Sequence, residues 1–318
     1  MKKREGCARL DGRVAIVTGA GNGLGRAHAL ALAARGASIV VNDLGVDVGG
    51  KKDSSEPAHR VVDLIRSNGG QAVASGHDVS DWKQSEDIID FAIEEFGDLH
   101  VLVNNAGILR DRSLANLSEA EWDAVINVHL KGHAAATKHA FSYWRRAHKD
   151  GSAEDRSVVM TTSVAGLSGN FGQANYAAAK AGILGLAAVV GIEGSKLGIR
   201  CNVISPGART RMALAVPGAE AAYSSFEKSR RGESFDQMAP ENVSGVIVWL
   251  ALADCAATRQ IFHVSGDQLT LVAMPRPAKN FAAGKRAWTP ELLESQIAES
   301  LLAPIEVQEW GGFPEDFF

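Results

Sequence analysis

Cysteine is scarce in this chain. It occurs three times in 318 residues, at Cys7, Cys201 and Cys255, with neither a CxxC pair nor an even framework, which excludes a cystine-stapled fold and a cysteine-built zinc site and fits free thiols in a reducing compartment. Excess charge of one sign is also missing. The 33 Lys plus Arg nearly balance 37 Asp plus Glu and the pI is near 6.2, so no basic field exists to gather nucleic acid or an anionic membrane. Long apolar runs are missing as well: the longest uncharged one, Ala181 to Ile192, falls short of the roughly 20 residues that span a bilayer. The basic start MKKREGCARLDGR has no apolar stretch behind it, so no targeting segment is expected.

What the chain does have is 46% hydrophobic residues, enough for a sizeable core, arranged in a regular alternation. VAIVT (Val14 to Thr18) runs into glycines, and HALALAAR (His28 to Arg35) continues at helical composition until Gly36 stops it. ASIVVND (Ala37 to Asp43) is a second strand, followed by a helix from Glu56 to Ser67 closed by Asn68-Gly69-Gly70. QAVASGHDV, LHVLVNNAG, SVVMTTS and IRCNVISPG read as further strands. Between them lie helices over Trp82–Phe96, one long helix over Ser118–Ala147, and the helix holding Tyr176; a last helix (Glu241–Asp254) and strand (Gln260–Val264) follow. Apolar strands alternating with helices predict an α/β fold, a doubly wound parallel sheet with helices on both faces. No repeat or linker divides residues 1–266, which form one domain. Pro206 to Pro240 breaks the alternation and is the candidate substrate loop, and 267–318 is a C-terminal extension expected to pack on the core or on a neighbouring subunit.

Thr18-Gly19-Ala20-Gly21-Asn22-Gly23-Leu24-Gly25 lies where the first strand turns into the first helix. Such a turn lets the backbone approach a pyrophosphate on the helix N-terminus, though glycines also make tight turns without a ligand. Asp43 ends the second strand, where a carboxylate accepts from the hydroxyls of an adenosine ribose and repels a 2′-phosphate; the plainer reading is an Asp opening a polar loop. Asp78-Val79 ends the third strand and is placed to contact an adenine edge. Asn104-Asn105-Ala106-Gly107 ends the fourth.

Tyr176 and Lys180, four apart, share one face of a helix. A phenol with an ordinary pKa of about 10 needs roughly 3 to 4 kcal/mol of differential stabilisation to work as a base near neutrality, and a neighbouring ammonium is the right kind of perturber. Ser163, thirteen residues upstream, can hold a substrate oxygen against the phenol. YxxxK by itself is common on exposed helices. In order with the glycine turn, NNAG, Ser163 and Pro206-Gly207, it resembles the short-chain dehydrogenase/reductase family from about Gly12 to Gly266.

The resemblance implies a Rossmann-type fold with NAD held by Gly19, Asn22, Gly23, Leu24, Gly25, Asp43, Asp78, Val79, Asn105, Ala106, Gly107, Tyr176, Lys180, Pro206 and Gly207. Tyr176 is then the general acid/base, Lys180 lowers its pKa and binds the nicotinamide ribose, and Ser163 orients the substrate. It also implies a homodimer or homotetramer packed through the helices near 118–147 and 174–196. One departure stands out: the family's VNL-like stretch, with a catalytic Asn, reads Val128-His129-Leu130 here, and Asn127 lies two residues early, facing elsewhere. His129 either replaces that Asn in a proton relay beside Lys180 or is a buried structural histidine. His129 and His133 are spaced i, i+4 without the carboxylate a metallopeptidase helix needs, so no metal site is expected.

NDLGVD, NNAGILRDRS, VHLKG, GNFGQANYAAAK and SPGARTRM are similar to the dehydrogenase domain of the peroxisomal multifunctional enzyme type 2 family, and to bacterial 17-beta-hydroxysteroid dehydrogenase-like enzymes of steroid side-chain breakdown. That likeness implies NAD-dependent oxidation of a (3R)-hydroxyacyl-CoA, fatty or steroidal, by a free-standing bacterial cytoplasmic enzyme. Arg110, Arg112, Arg209 and Arg211 are candidates for CoA phosphates or for ordinary structural pairing. The alternatives are a dehydrogenase of free 17-beta-hydroxysteroids, a 3-oxoacyl reductase, and a non-catalytic NAD sensor.

Overall fold

A computed structural model describes residues 9–45, 56–216, 224, 235–275, 277–283, 285, 287–296 and 303. The middle of the expected substrate loop and the end of the C-terminal extension, 297–318 apart from residue 303, lie outside these residues.

Among the described residues, eight strands form one sheet in the order β3-β2-β1-β4-β5-β6-β7-β8. They are β1 Val14–Thr18, β2 Ser38–Asn42, β3 Gln71–Ser75, β4 Val101–Asn104, β5 Arg156–Thr161, β6 Ile199–Gly207, β7 Ile261–Ser265 and β8 Gln268–Val272. All neighbours pair in parallel except β7 and β8. The helices are α1 Gly23–Ala33, α2 Glu56–Ser67, α3 Trp82–Phe96, α4 Glu119–Ile126, α5 Gly132–Lys149, α6 Val164–Ser168, α7 Ala174–Gly194, α8 Arg211–Leu214, α9 Glu241–Ala251 and α10 Pro290–Gln296. Helices cover both faces of the sheet, closing one core around Val17, Ile39 and Ile247 and another around Ile16, Met160 and Ile183. The chain lays β1, β2 and β3 outward, then returns to place β4 on the other side of β1. Such a reversal of strand order opens a crevice at the carboxyl ends of the strands.

Local chemistry sets several boundaries. Asp81 caps α3 by accepting from the Gln84 N–H at 2.8 Å, and Gly97, with φ of +84°, ends it in the left-handed region. Ser118 and Glu121 form a reciprocal capping box on α4.

Three expectations need correction. The long helix over 118–147 is interrupted by a π-turn over Asn127–Lys131, where the Gly132 N–H reaches back to the Asn127 carbonyl; the inserted residue re-aims the side chains around His129. The boundary at 266 falls within a hairpin, because Gln268–Val272 pairs antiparallel with β7 and extends the sheet. The apolar helix is also longer than its uncharged run. Ala174–Leu197, whose most apolar 18-residue window has a mean hydropathy of 1.5, is long and apolar enough to cross a bilayer, yet it packs against β6 and α6 and carries both Tyr176 and Lys180 on its inner face.

Candidate active site

A cleft of about 910 Å³ opens at the carboxyl ends of β1, β2, β4 and β5. That is at the upper end of ordinary ligand pockets, roughly 300–1,000 Å³, as a site receiving two molecules side by side requires. Every residue assigned above to cofactor or catalysis lines it, from Gly19 and Asp43 at one end to Ser163, Tyr176 and Lys180 at the other.

The glycine turn forms the floor. A side chain at Gly25 would run into the Gly19 carbonyl and the Asn105 amide, and one at Gly19 would meet the Ala106 Cα; bare backbone is the only surface that fits there. Thr18 ties this turn to the NNAG segment, its Oγ1 accepting from the Asn105 and Ala106 N–H groups at 2.9 and 3.1 Å. Helix α1 starts at Gly23 without a side-chain cap, leaving first-turn N–H groups and the positive end of the helix to an anion. Asp43 accepts from the Gly21 N–H at 2.7 Å and the Gly45 N–H at 2.8 Å, which fixes its carboxylate at the cleft. Asp78 is held by the Ser80 N–H and hydroxyl at 2.8 and 2.7 Å. Uncapped amides, a side-chain-free floor and a fixed carboxylate are what a dinucleotide needs.

At the reacting end, Ser163 caps α6 and accepts from the Ala165 N–H at 3.3 Å. Gly166, the glycine of TTSVAG, lets α6 press directly on the backbone of Lys180, where a Cβ would collide. The Lys180 ammonium donates to the Thr161 carbonyl at 2.7 Å and lies 5.5 Å from the Tyr176 ring centroid. Electrostatics here run opposite to the expectation that Lys180 lowers the tyrosine. Burial pushes the Tyr176 phenol up to about 12, against a smaller downward pull from Ser163, and burial pushes Lys180 down to about 7. Burial is the largest cause acting on each group, and Lys180 is not among the causes that move the phenol.

His129 stacks edge-on against Tyr176, with centroids 5.1 Å apart. Its Nε2 lies 2.8 Å from the Ile108 carbonyl and 3.0 Å from the Ile108 N–H. An asparagine amide can serve both of those groups at once; a single ring nitrogen serves one. Burial foremost, and Lys180 next, hold its pKa well below the ordinary histidine range, so the ring is neutral. With Nε2 committed to Ile108, only Nδ1 is left for a relay. Gly107 makes the arrangement possible, since a Cβ there would overlap the imidazole. Asn127, expected to face elsewhere, lies on the exposed rim of the same cleft.

Of the four arginines, Arg112 is paired with Glu121 at 3.1 Å and Arg209 with Asp236 at 2.8 Å, while Arg110 and Arg211 line the cleft. Residues that the motifs do not mark also belong to the site. Asn42 stitches β2 to the third strand's end, donating to the His77 carbonyl at 2.9 Å. Gln173 lies on the cleft wall, held by Asp111 at 2.8 Å.

A family profile described as short chain dehydrogenase matches residues 13–217, more than half of the chain. The chain belongs to this family. The family generally works with a nicotinamide dinucleotide, NAD or NADP. Among relatives, hydroxyacyl-CoA dehydrogenase ChsB1 of Mycobacterium tuberculosis is 41% identical over 295 residues, covering 91% of this chain and 89% of the relative. Peroxisomal multifunctional enzyme type 2 of mouse is 42% identical over 256 residues, 80% of this chain but 32% of the relative, so the chain spans about a third of that protein. A crystal structure of a short chain dehydrogenase from Mycobacterium avium superposes with a TM-score of 0.80 at 48% identity, covering 92% of this chain and 95% of the other. The chain is thus a short-chain oxidoreductase with hydroxyacyl-CoA dehydrogenase relatives.

Proposed function

We propose that the protein oxidises a (3R)-hydroxyacyl-CoA to the 3-oxoacyl-CoA with NAD, in β-oxidation of steroid side chains or fatty acids. The observation that carries the reading is the convergence of Ser163, Tyr176 and Lys180 at one end of a cleft whose other end is fixed by Asp43. In the bound state the nicotinamide supplies the ring that accepts hydride. Ser163 holds the substrate oxygen, and Tyr176 takes the hydroxyl proton as the C–H bond breaks. Lys180 contributes positive charge to the phenol only when it is itself ionised, and His129 keeps the phenol ring in place by its edge-on contact. Asp43 repels a 2′-phosphate, which favours NAD and disfavours a 3-oxoacyl reductase working with NADP. The apolar wall of Leu109, Met212, Ala213 and Val216 suits an acyl group. The names of the relatives favour the thioester over a free steroid. We place the enzyme in the bacterial cytoplasm as a homodimer or homotetramer packed through α5 and α7, where Val189 and Ile192 are 49% and 56% exposed in the single chain.

The test is NADH formation by the purified protein with a medium-chain (3R)-hydroxyacyl-CoA, a steroid side-chain hydroxyacyl-CoA and a free 17-beta-hydroxysteroid, each with NAD and NADP. Turnover of a thioester with NAD is expected. Turnover of the free steroid alone overturns the substrate, turnover with NADP alone overturns the role of Asp43, and silence on every pair favours a binding role.

A further inference from the structure

The loop between β4 and α4 straps the start of α7, and its carboxylate is held in an incomplete way. Asn175 Nδ2 donates to the carbonyls of Arg110 and Glu121 at 3.0 and 3.1 Å, the Arg112 N–H donates to the Gly172 carbonyl at 2.8 Å, and Gln173 Nε2 donates to Asp111 Oδ2 at 2.8 Å. Helix α7 has no side-chain cap at Gln173. These cross-links therefore fix the entry into the helix that carries Tyr176 and Lys180. The other oxygen of Asp111, Oδ1, is buried with no hydrogen-bond partner, a costly arrangement that a purely structural strap does not need.

An ionised carboxylate only accepts, so it admits the nitrogen and not the oxygen of the Gln173 amide. The amide oxygen is turned the other way, where Asn170 Nδ2 donates to it at 3.0 Å. Gln173 is 4% exposed and lines the cleft three residues before Tyr176. Its amide has one orientation, fixed by Asp111 accepting at its nitrogen and Asn170 donating to its oxygen.

We infer that Asp111 is a positioning residue for the reacting centre: through Gln173 it fixes the cleft wall beside Tyr176 and the start of the helix that carries the phenol. The inference rests on Tyr176 as proton acceptor. Its charge acts in the same place, since Asp111 pushes the Tyr176 phenol upward together with burial. Burial raises the Asp111 carboxyl itself, and the Gln173 hydrogen bond opposes that rise. The charged and titratable groups around this pair are Arg110, the ion-paired Arg112 and Glu121, His129 edge-on to the phenol, and Lys180.

The experiment uses the full chain with Asp111→Ala and Asp111→Asn, read by steady-state turnover of a (3R)-hydroxyacyl-CoA and by ¹³C-tyrosine NMR without substrate. Tyrosine occurs three times, at Tyr143, Tyr176 and Tyr223, so the Tyr176 resonance is identified by its loss in Tyr176→Phe. Asp111→Ala is expected to lower kcat/KM by at least about tenfold, and Asp111→Asn, which keeps an acceptor for Gln173, to recover most of it. In both, ionisation of Tyr176 begins at lower pH than in the parent. A kcat/KM for Asp111→Ala within about twofold of the parent overturns the inference. So does a loss that Asp111→Asn fails to recover while the Tyr176 titration stays unmoved, which is the mark of a purely structural strap. Where Asp111→Ala does not fold, the isosteric Asp111→Asn is judged by its Tyr176 titration. A parent that turns over no thioester sinks the substrate reading alone, and the NMR titration then decides the role of Asp111.

Discussion

Replacing Lys180 by methionine should abolish turnover and yet stabilise the cofactor-free protein. Lys180 is 2% exposed, and burial brings its pKa from 10.5 to about 7. At about 1.4 kcal/mol per pH unit, keeping the charge inside costs about 5 kcal/mol below pH 7. Methionine fills similar space without charge. It also removes the hydrogen bond to the Thr161 carbonyl, which costs about 1–2 kcal/mol, so the net gain is about 3 kcal/mol. The sign with pH follows from proton counting. Lys180 loses its proton near pH 7 in the folded chain and near 10.5 in the unfolded one. Between those values the unfolded state binds more protons, so parent stability rises with pH across that window. The advantage of Lys180→Met is therefore full below pH 7 and reverses before pH 10.5, where only the lost Thr161 hydrogen bond is left. Urea unfolding of both proteins without cofactor, at pH 6 and again near pH 10, measures it. A variant no more stable than the parent at pH 6, or a gap that does not shrink with pH, would refute the reasoning.

Tyr176→Phe removes the hydroxyl proposed as proton acceptor while keeping the ring and the glycine turn; turnover should fall by about 10²–10⁴-fold while NAD affinity, measured by calorimetry, changes far less. Gly107→Ala places a methyl against the His129 imidazole; forced movement of that ring off Tyr176 should lower kcat by about tenfold or more, and unchanged kinetics in a folded variant would remove His129 from the site. Arg156, 3% exposed, donates to Asp98 at 3.0 Å and to the Leu99 carbonyl at 2.6 Å. Arg156→Met takes the guanidinium from Asp98, which keeps the Tyr143 hydroxyl and the Leu99 N–H as donors, so stability in urea should drop by about 1–2 kcal/mol.

The sequence by itself determined which residues come together in the cleft. The glycines from Gly19 to Gly25, Asp43, Ser163, Tyr176 and Lys180 were legible because each sits at a strand end or one helical turn from its partner, a spacing fixed by local geometry. For the same reason Glu56–Ser67, Trp82–Phe96 and Ile199–Gly207 appear in the structure with the bounds that their caps and apolar runs imply. The sheet order follows from the alternation of elements only as a class; its edge, the antiparallel β8, does not, since a short strand with two exposed leucines, Leu269 and Leu271, has no buried pattern to announce it. The π-turn at Asn127–Lys131 is likewise silent in the sequence, because one inserted residue leaves helical composition unchanged.

Tertiary structure alone decided the electrostatics and the supports. Asp111 and Gln173 are 62 residues apart and meet only when the β4–α4 loop crosses the start of α7. The directions of the Tyr176 and Lys180 pKa values were set by burial, which spacing on a helix does not reveal: four residues bring a phenol and an ammonium close, but the surrounding low dielectric decides which charge state either can keep.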